Sequence, residues 1–262
     1  MLKFVASHLA VRDVPAAVHI RVHRDQQIAI DLPHSIPSEN LLIERIGMTL
    51  SVRGASLLHQ ARPVLETETY PGISSIISAD ASPAVGNENQ ITDREDGPLL
   101  RRMTQQRGAH HDLLVPVIPI DVPLKTSVAL SGVAGQVVIG DTDGLIFVVT
   151  SPLSRPIRVG RVSGGTVVVQ GNGRVAIADI IGERASLQLV LLGMGQIVVE
   201  RGNIDLLSAA IQGPGYIAFG GMTSLATLVI KGTGTIEVAK CASLPLCLPG
   251  NGTIRVGDAL FR

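Results

Sequence analysis

Three aspartates are the side chains best suited to acid–base chemistry in this sequence. Asp141 and Asp143 lie in the segment GDTDG, and Asp179 ends the segment GNGRVAIAD. Paired carboxylates cleave glycosidic bonds in many enzymes, one acting as the acid and the other as base or nucleophile. The first two stand at a predicted turn, however, where aspartate is an ordinary residue. We therefore expect no catalytic residue among the three.

Histidines offer a second kind of site, and all seven precede Leu113. His19 and His23 share one face of a predicted strand with Arg21, because alternate residues of a strand point the same way. A metal-binding pair is one interpretation of this face, and a solvated strand surface is the other. The segment GTGTIEVAK lacks the aligned aspartate of calcium-binding glycine repeats, so we expect no metal site.

A short basic stretch is the remaining candidate for ligand contact. Arg101, Arg102 and Arg107 could touch phosphate or an acidic partner. No phosphate-binding glycine loop and no nucleophile elbow accompany them, and the glycines stand between predicted strands rather than before a helix. The sequence therefore predicts a non-enzymatic protein without a cofactor.

Composition restricts the partners further. The formal net charge is +0, which does not favour nucleic acid or an anionic membrane surface. The two cysteines, Cys241 and Cys247, suit neither a disulfide framework nor a metal ligand set. No apolar run reaches the roughly 18 residues of a membrane-spanning helix, and we recognise no signal peptide. We therefore expect a cytoplasmic protein with no integral membrane segment.

The pattern of the chain divides it into three parts. Residues 1–56 alternate between apolar and polar types, which predicts antiparallel strands. Residues 57–112 are polar and rich in turn residues, which predicts a flexible insert. Residues 113–262 form a repeat of about 20 residues in which Gly-x-Gly separates two short apolar strands.

This repeat predicts a β-solenoid (β-helix) of about seven or more short coils, preceded by the N-terminal antiparallel strands. A coil of about 20 residues cannot bury its own apolar face, so the coils must stack to form a continuous core. The second strand of each coil begins with one of a series of aliphatic residues: Val137, Ile157, Val175, Ile197, Ile217, Ile236 and Ile254.

The first strand of each coil is apolar on both of its faces. Its inward pairs are predicted to be Val167/Val169, Leu189/Leu191, Ala209/Ile211, Leu228/Ile230 and Leu246/Leu248. The residues between them would then point outward as a column: Val168, Val190, Ala210, Val229 and Cys247. A strand apolar on both faces is usually covered on both. Either residues 1–56 or another subunit would cover this column.

Two segments resemble the bacterial auto-transporter adhesin, head GIN domain family. They are VPAAVHIRVHRDQQIAIDLPHSIPSENLLIERIGMTLSVRG and LLVPVIPIDVPLKTSVALSGVAGQVVIGDTDG, the latter followed by the glycine-punctuated coils. The resemblance implies a β-solenoid and an envelope-associated adhesin, or a module that binds polysaccharide or protein. The architecture is also similar to that of the bactofilins, which polymerise into cytoskeletal filaments.

From these observations the sequence predicts a structural protein that associates with itself into a cytoplasmic filament or scaffold. A lateral contact would use Val168, Val190, Ala210 and Val229. A second contact would use the unpaired edge of the last coil, formed by Ile254, Val256, Leu260 and Phe261. The envelope-associated binding module implied by the family resemblance is the alternative function.

Overall fold

The computed structural model describes residues 1–33, 36, 40–54, 116–150, 155–182 and 184–261. The predicted insert, residues 57–112, therefore lies outside the described residues. The described chain is nearly all β-strand and forms a β-solenoid of about 6 turns, which confirms the predicted fold class.

Six strands precede the insert: β1 (Leu2–Phe4), β2 (His8–Arg12), β3 (Ala17–His23), β4 (Ile28–Ile30), β5 (Leu41–Ile46) and β6 (Thr49–Gly54). The next seven strands follow the insert, and the last of them comes after the Gly171-Asn172-Gly173 corner: β7 (Val117–Pro123), β8 (Ser127–Ser131), β9 (Val137–Ile139), β10 (Ile146–Val149), β11 (Ile157–Val162), β12 (Gly165–Gly171) and β13 (Arg174–Ile180). The remaining six are β14 (Ser186–Gly193), β15 (Gln196–Gln212), β16 (Tyr216–Lys231), β17 (Thr235–Leu248), β18 (Thr253–Val256) and β19 (Ala259–Phe261).

The strands wind into two faces, which we call sheet 1 and sheet 2. Sheet 1 has the parallel order β6, β2, β8, β10, β12, β14, followed by the later halves of β15, β16 and β17. Sheet 2 has the parallel order β7, β3, β9, β11, β13, followed by the earlier halves of β15, β16 and β17, and then β18. The long strands β15 to β17 each bend from sheet 2 into sheet 1.

The interior between the sheets is a stack of aliphatic side chains. Ile197 of β15 pairs with Ile217 of β16, which pairs with Ile236 of β17, and each is 0% exposed. The sequence alignment of these positions is therefore confirmed by strand pairing. Each inward aliphatic side chain contributes roughly 1.5–3 kcal/mol by burial, so the core depends on successive coils stacking in register.

The N-terminal strands are part of the solenoid itself. The segment LLIERIGMTLSVRG forms the expected antiparallel hairpin, with Ile46 paired to Thr49. By contrast, β2 lies parallel between β6 and β8, and β3 lies parallel between β7 and β9. Because β2 and β6 extend sheet 1 at its edge, they do not cover its outer face. The interpretation that residues 1–56 cover the outward column is wrong for the strands that the structure describes.

Antiparallel strands occupy both ends of the stack. At one end β5 pairs with β6 in sheet 1, while β4 pairs with β7 and β1 pairs with β4 in sheet 2. At the other end β19 folds back on β18. The parallel pairing between strands of successive coils therefore ends at these antiparallel strands.

Candidate self-association surface

A column of aliphatic side chains runs along the outer face of sheet 1. Val168 pairs with Val190, Val190 with Ala210, and Ala210 with Val229, so the four predicted contact residues stand in one line. All four are half-buried. Neighbouring strands of a sheet are about 4.8 Å apart, which sets the spacing of the column. The structure thus brings together the whole predicted lateral set.

Two further members of this column were missed by sequence reasoning. Val149 pairs with Val168 at one end, and Leu248 pairs with Val229 at the other. Leu248 is 52% exposed. Val149 precedes the first complete Gly-x-Gly corner, so the glycine alignment did not reach it.

The predicted inward pair Leu246 and Leu248 is wrong, and so is the outward position of Cys247. Cys247 pairs with Leu228, which is 0% exposed, and packs against the core, whereas Leu246 and Leu248 point outward. The register shifts between Leu225 and Thr227, where β17 carries an extra residue relative to β16. One inserted residue exchanges the two faces of a strand. Burial raises the pKa of the Cys247 thiol.

The columns on either side of the aliphatic one are almost without charge. From β10 to β17 they consist of aromatic, aliphatic, hydroxyl and amide side chains and a single lysine. These outward residues are Phe147, Thr166, Gln170, Ser186, Gln188, Leu192, Leu206, Ser208, Gln212, Leu225, Thr227, Lys231 and Leu246. Together with the aliphatic column they form a surface that we call the neutral face.

No strand that the structure describes lies over the neutral face. The strands of sheet 1 meet one another edge to edge, and their hydrogen-bonded neighbours lie within the sheet. An aliphatic column of this kind is a candidate interaction site.

The predicted C-terminal edge differs from expectation. Ile254 pairs with Ile236 on one side and Phe261 on the other, and it is 0% exposed. It is therefore a core residue and not an edge residue, because the outer edge of β18 is paired with β19. Val256 and Phe261 are half-buried against the core, and Leu260 is 47% exposed on β19.

Sheet 2 carries charged residues on its outer surface. Two of the candidate aspartates lie here beside arginines: Asp141 Oδ1 accepts a hydrogen bond of 2.9 Å from the Arg161 backbone N–H, and Asp179 pairs in register with Arg201. Asp143 is exposed, and its backbone N–H donates to the Leu124 carbonyl at 2.7 Å.

The histidine face of β3 is organised by ion pairing and turn hydrogen bonds. Arg21 forms a two-pronged ion pair with Asp121, at 2.7 and 3.0 Å. His23 Nδ1 accepts a hydrogen bond of 2.8 Å from the Asp25 backbone N–H, and His19 pairs in register with Val138. Among the described residues, no three His, Cys, Asp or Glu side chains are placed to hold a metal ion.

A hydrogen-bonded triad lies near the C-terminal end of sheet 2. The Tyr216 hydroxyl donates to Glu237 Oε2 at 2.7 Å, and Arg255 Nη1 lies 3.6 Å from Glu237 Oε1. Burial, followed by the bond to the Glu237 carboxylate, raises the pKa of Tyr216 to about 12. The phenol stays protonated at neutral pH, and the triad links the neighbouring strands β16, β17 and β18.

The predicted partner contacts Arg101, Arg102 and Arg107 lie outside the described residues. Within the part of the chain that the structure covers, no helix is long and apolar enough to cross a bilayer.

No protein-family model matches this chain, and no curated protein matches its sequence.

Proposed function

We propose that this protein is a non-enzymatic structural protein whose solenoids associate side by side through the neutral face, as the unit of a cytoplasmic scaffold or filament. The observation that carries the proposal is the aliphatic column from Val149 to Leu248, over which no described strand lies. A second copy is the occupant that fits it, because a straight, uncharged column is complementary to itself.

The size of the neutral face supports a contact of modest strength. Six strands at about 4.8 Å and four alternate residues at about 6.6 Å give a patch of about 760 Å². A two-fold pair would bury about 1,500 Å² in total, which is within the range of a standard protein–protein interface. We therefore expect association that depends on concentration and survives added salt, since burial and not charge drives it.

End-to-end growth by strand pairing is less favoured than lateral contact. The last segment of sheet 1, Leu246–Leu248, lies between Pro245 and Pro249, neither of which has a backbone N–H to donate. At the opposite end β5 presents the exposed residues Glu44 and Arg45. Proline and charge on edge strands are devices that prevent further strand addition.

The proposal is tested by sedimentation velocity and negative-stain electron microscopy of the full chain over a concentration series in high salt. Wild-type protein should form dimers or larger assemblies as concentration rises. Val190→Asp should weaken the association at least about tenfold, because it places two carboxylates in the centre of an apolar contact. Circular dichroism should show that the variant remains folded, since Val190 points outward.

Met194→Asp is the matched control, because it places the same charge on an exposed apolar side chain at the corner between β14 and β15, outside both faces. It should associate like the wild type in high salt. Discrete monomers at every concentration would overturn the proposal and favour the alternative, a module that binds polysaccharide or another protein. Cell fractionation tests the cytoplasmic part of the proposal.

A further inference from the structure

Four charged residues of alternating sign stand in one line on sheet 2. Arg161 pairs in register with Asp179, and Asp179 pairs with Arg201. Asp141 follows β9 and precedes them, with its Oδ1 2.9 Å from the Arg161 backbone nitrogen and its Oδ2 3.9 Å from Arg161 Nη2. We call this line the charge ladder. Asp141, Arg161 and Arg201 are exposed, and Asp179 is half-exposed.

When an alternating ladder with an even number of charges is turned end to end, every position carries the opposite charge. The ladder is therefore complementary to a reversed copy of itself. Suppose that a second copy is related to the first by a two-fold axis parallel to the strands. The second copy's solenoid axis then runs in the opposite direction, and each column faces the same column of the partner with the order of its residues reversed. Asp141 then faces the partner's Arg201, and Arg161 faces the partner's Asp179. A two-fold axis along the solenoid would instead place aspartate opposite aspartate, which is repulsive.

The columns beside the ladder fit the same arrangement. With the axis between β11 and β13, Arg158 faces the partner's Ala176, and Val138 faces the partner's Val198. Glu200, one residue before Arg201 on β15, faces the glycine that precedes Asp141. In these described columns no pair of like charges is brought together.

We propose that sheet 2 is a second self-association surface, through which two copies meet with inverted solenoid axes and pair their charge ladders. This contact does not depend on the neutral face. Together with the proposed function it has a further consequence: two different two-fold contacts on opposite sheets, used alternately, produce an open ribbon and not a closed dimer.

The sheet 2 contact is tested by sedimentation velocity of the Val190→Asp variant, in which association through the neutral face is weakened. At about 0.02 M ionic strength this variant should dimerise, and at about 0.5 M the dissociation constant should rise at least tenfold because exposed charges are screened. Adding Asp141→Arg and Asp179→Arg makes the ladder uniformly positive and should abolish the low-salt dimer. A monomer at low salt, or a dimer indifferent to salt and to these changes, would overturn the proposal.

A sharper control inverts the whole ladder with Asp141→Arg, Arg161→Asp, Asp179→Arg and Arg201→Asp. The inverted protein is again complementary to its own reverse, so it should dimerise with itself at low salt. It should not pair with the uninverted protein, because every facing pair would then carry like charges. Free mixing of the two, measured by fluorescence energy transfer between labelled samples, would contradict the proposed axis.

The two proposals fail separately. If the neutral face is not an interface, Val190→Asp leaves the high-salt behaviour unchanged, while the low-salt, ladder-dependent dimer remains. If the ladder acts only within one chain, the substitutions change the melting temperature and leave the low-salt association as it was, and the sheet 2 contact is then wrong.

Discussion

Leu9 lies beside Val128 in sheet 1, although the two residues belong to distant parts of the chain. Leu9 is also paired with Leu50 on its other side, and the three side chains are at most 1% exposed. Strand β2 is thus paired on both sides with strands that come later in the chain, β6 and β8. The core cannot form at this end until β2 has entered it.

This insertion predicts that the N-terminal strands contribute to global stability. Leu9→Ala removes a fully buried side chain from the core between β6 and β8 and should lower the free energy of unfolding by about 2–5 kcal/mol. Urea unfolding followed by circular dichroism measures the change.

Leu2→Ala makes the same chemical change in β1, where Leu2 is 44% exposed. It should alter the free energy of unfolding by less than about 1 kcal/mol. Equal effects of the two substitutions would show that β2 does not lie inside the stack.

The glycine corners predict a second difference in stability. A Cβ atom at Gly215 would clash with Leu191 Cδ2 and lie 2.9 Å from the carbonyl oxygens of Gly193 and Gly195. Gly215→Ala should therefore destabilise the protein by about 1–3 kcal/mol through overpacking.

Gly140 is the matched glycine, because a Cβ there would meet its nearest atom, the Ile20 carbonyl oxygen, at an ordinary 3.4 Å. Thermal melts should show Gly140→Ala close to wild type and Gly215→Ala clearly lower. If both variants melt together, close approach is not the reason for glycine at the corners.

The repeat could be predicted from the sequence because its period and its glycines are local signals. Aligning the apolar residue two positions after each Gly-x-Gly placed Val175, Ile197 and Ile217 in the register that the strands adopt. The outward position of Val190 followed from the same alternation. Fold class and the centre of the neutral face therefore needed no tertiary information.

The position of β2 and the last turn of β17 could not be predicted in this way. Pairing of Leu9 with Val128 depends on which distant strand completes the core, and alternation within β2 does not specify it. In β17 the extra residue beside Pro245 reverses the faces of Leu246 and Cys247, and no glycine marks it. The charge ladder was missed for a related reason, since its members become neighbours only when the coils stack.

The reversed faces of β17 give a third prediction. Cys247→Asp places a carboxylate against the core and should cost about 2 kcal/mol or more. Leu248→Asp changes an exposed side chain and should cost within about 0.5 kcal/mol. Chemical denaturation of dilute samples, where association is negligible, compares the two. A larger loss for Leu248→Asp would support the register first expected from the sequence.

The burial of Tyr216 and its hydrogen bond to Glu237 predict a loss of stability in alkali. The pKa of Tyr216 is raised to about 12 in the folded protein from an ordinary value of 10.0. Between these values the unfolded chain has released a proton that the folded chain retains. The contribution of this phenol to stability is therefore complete below pH 10 and disappears as the pH rises through about 12.

Ultraviolet titration of the phenol tests this prediction. The chain contains Tyr70 and Tyr216 as its tyrosines, so Tyr70→Phe leaves Tyr216 as the single phenol that is titrated. That titration should have its midpoint near 12, and Tyr216→Phe should flatten the dependence of the melting temperature on pH in this range. A midpoint near the ordinary value would mean that Tyr216 is neither buried nor bonded to Glu237 in solution.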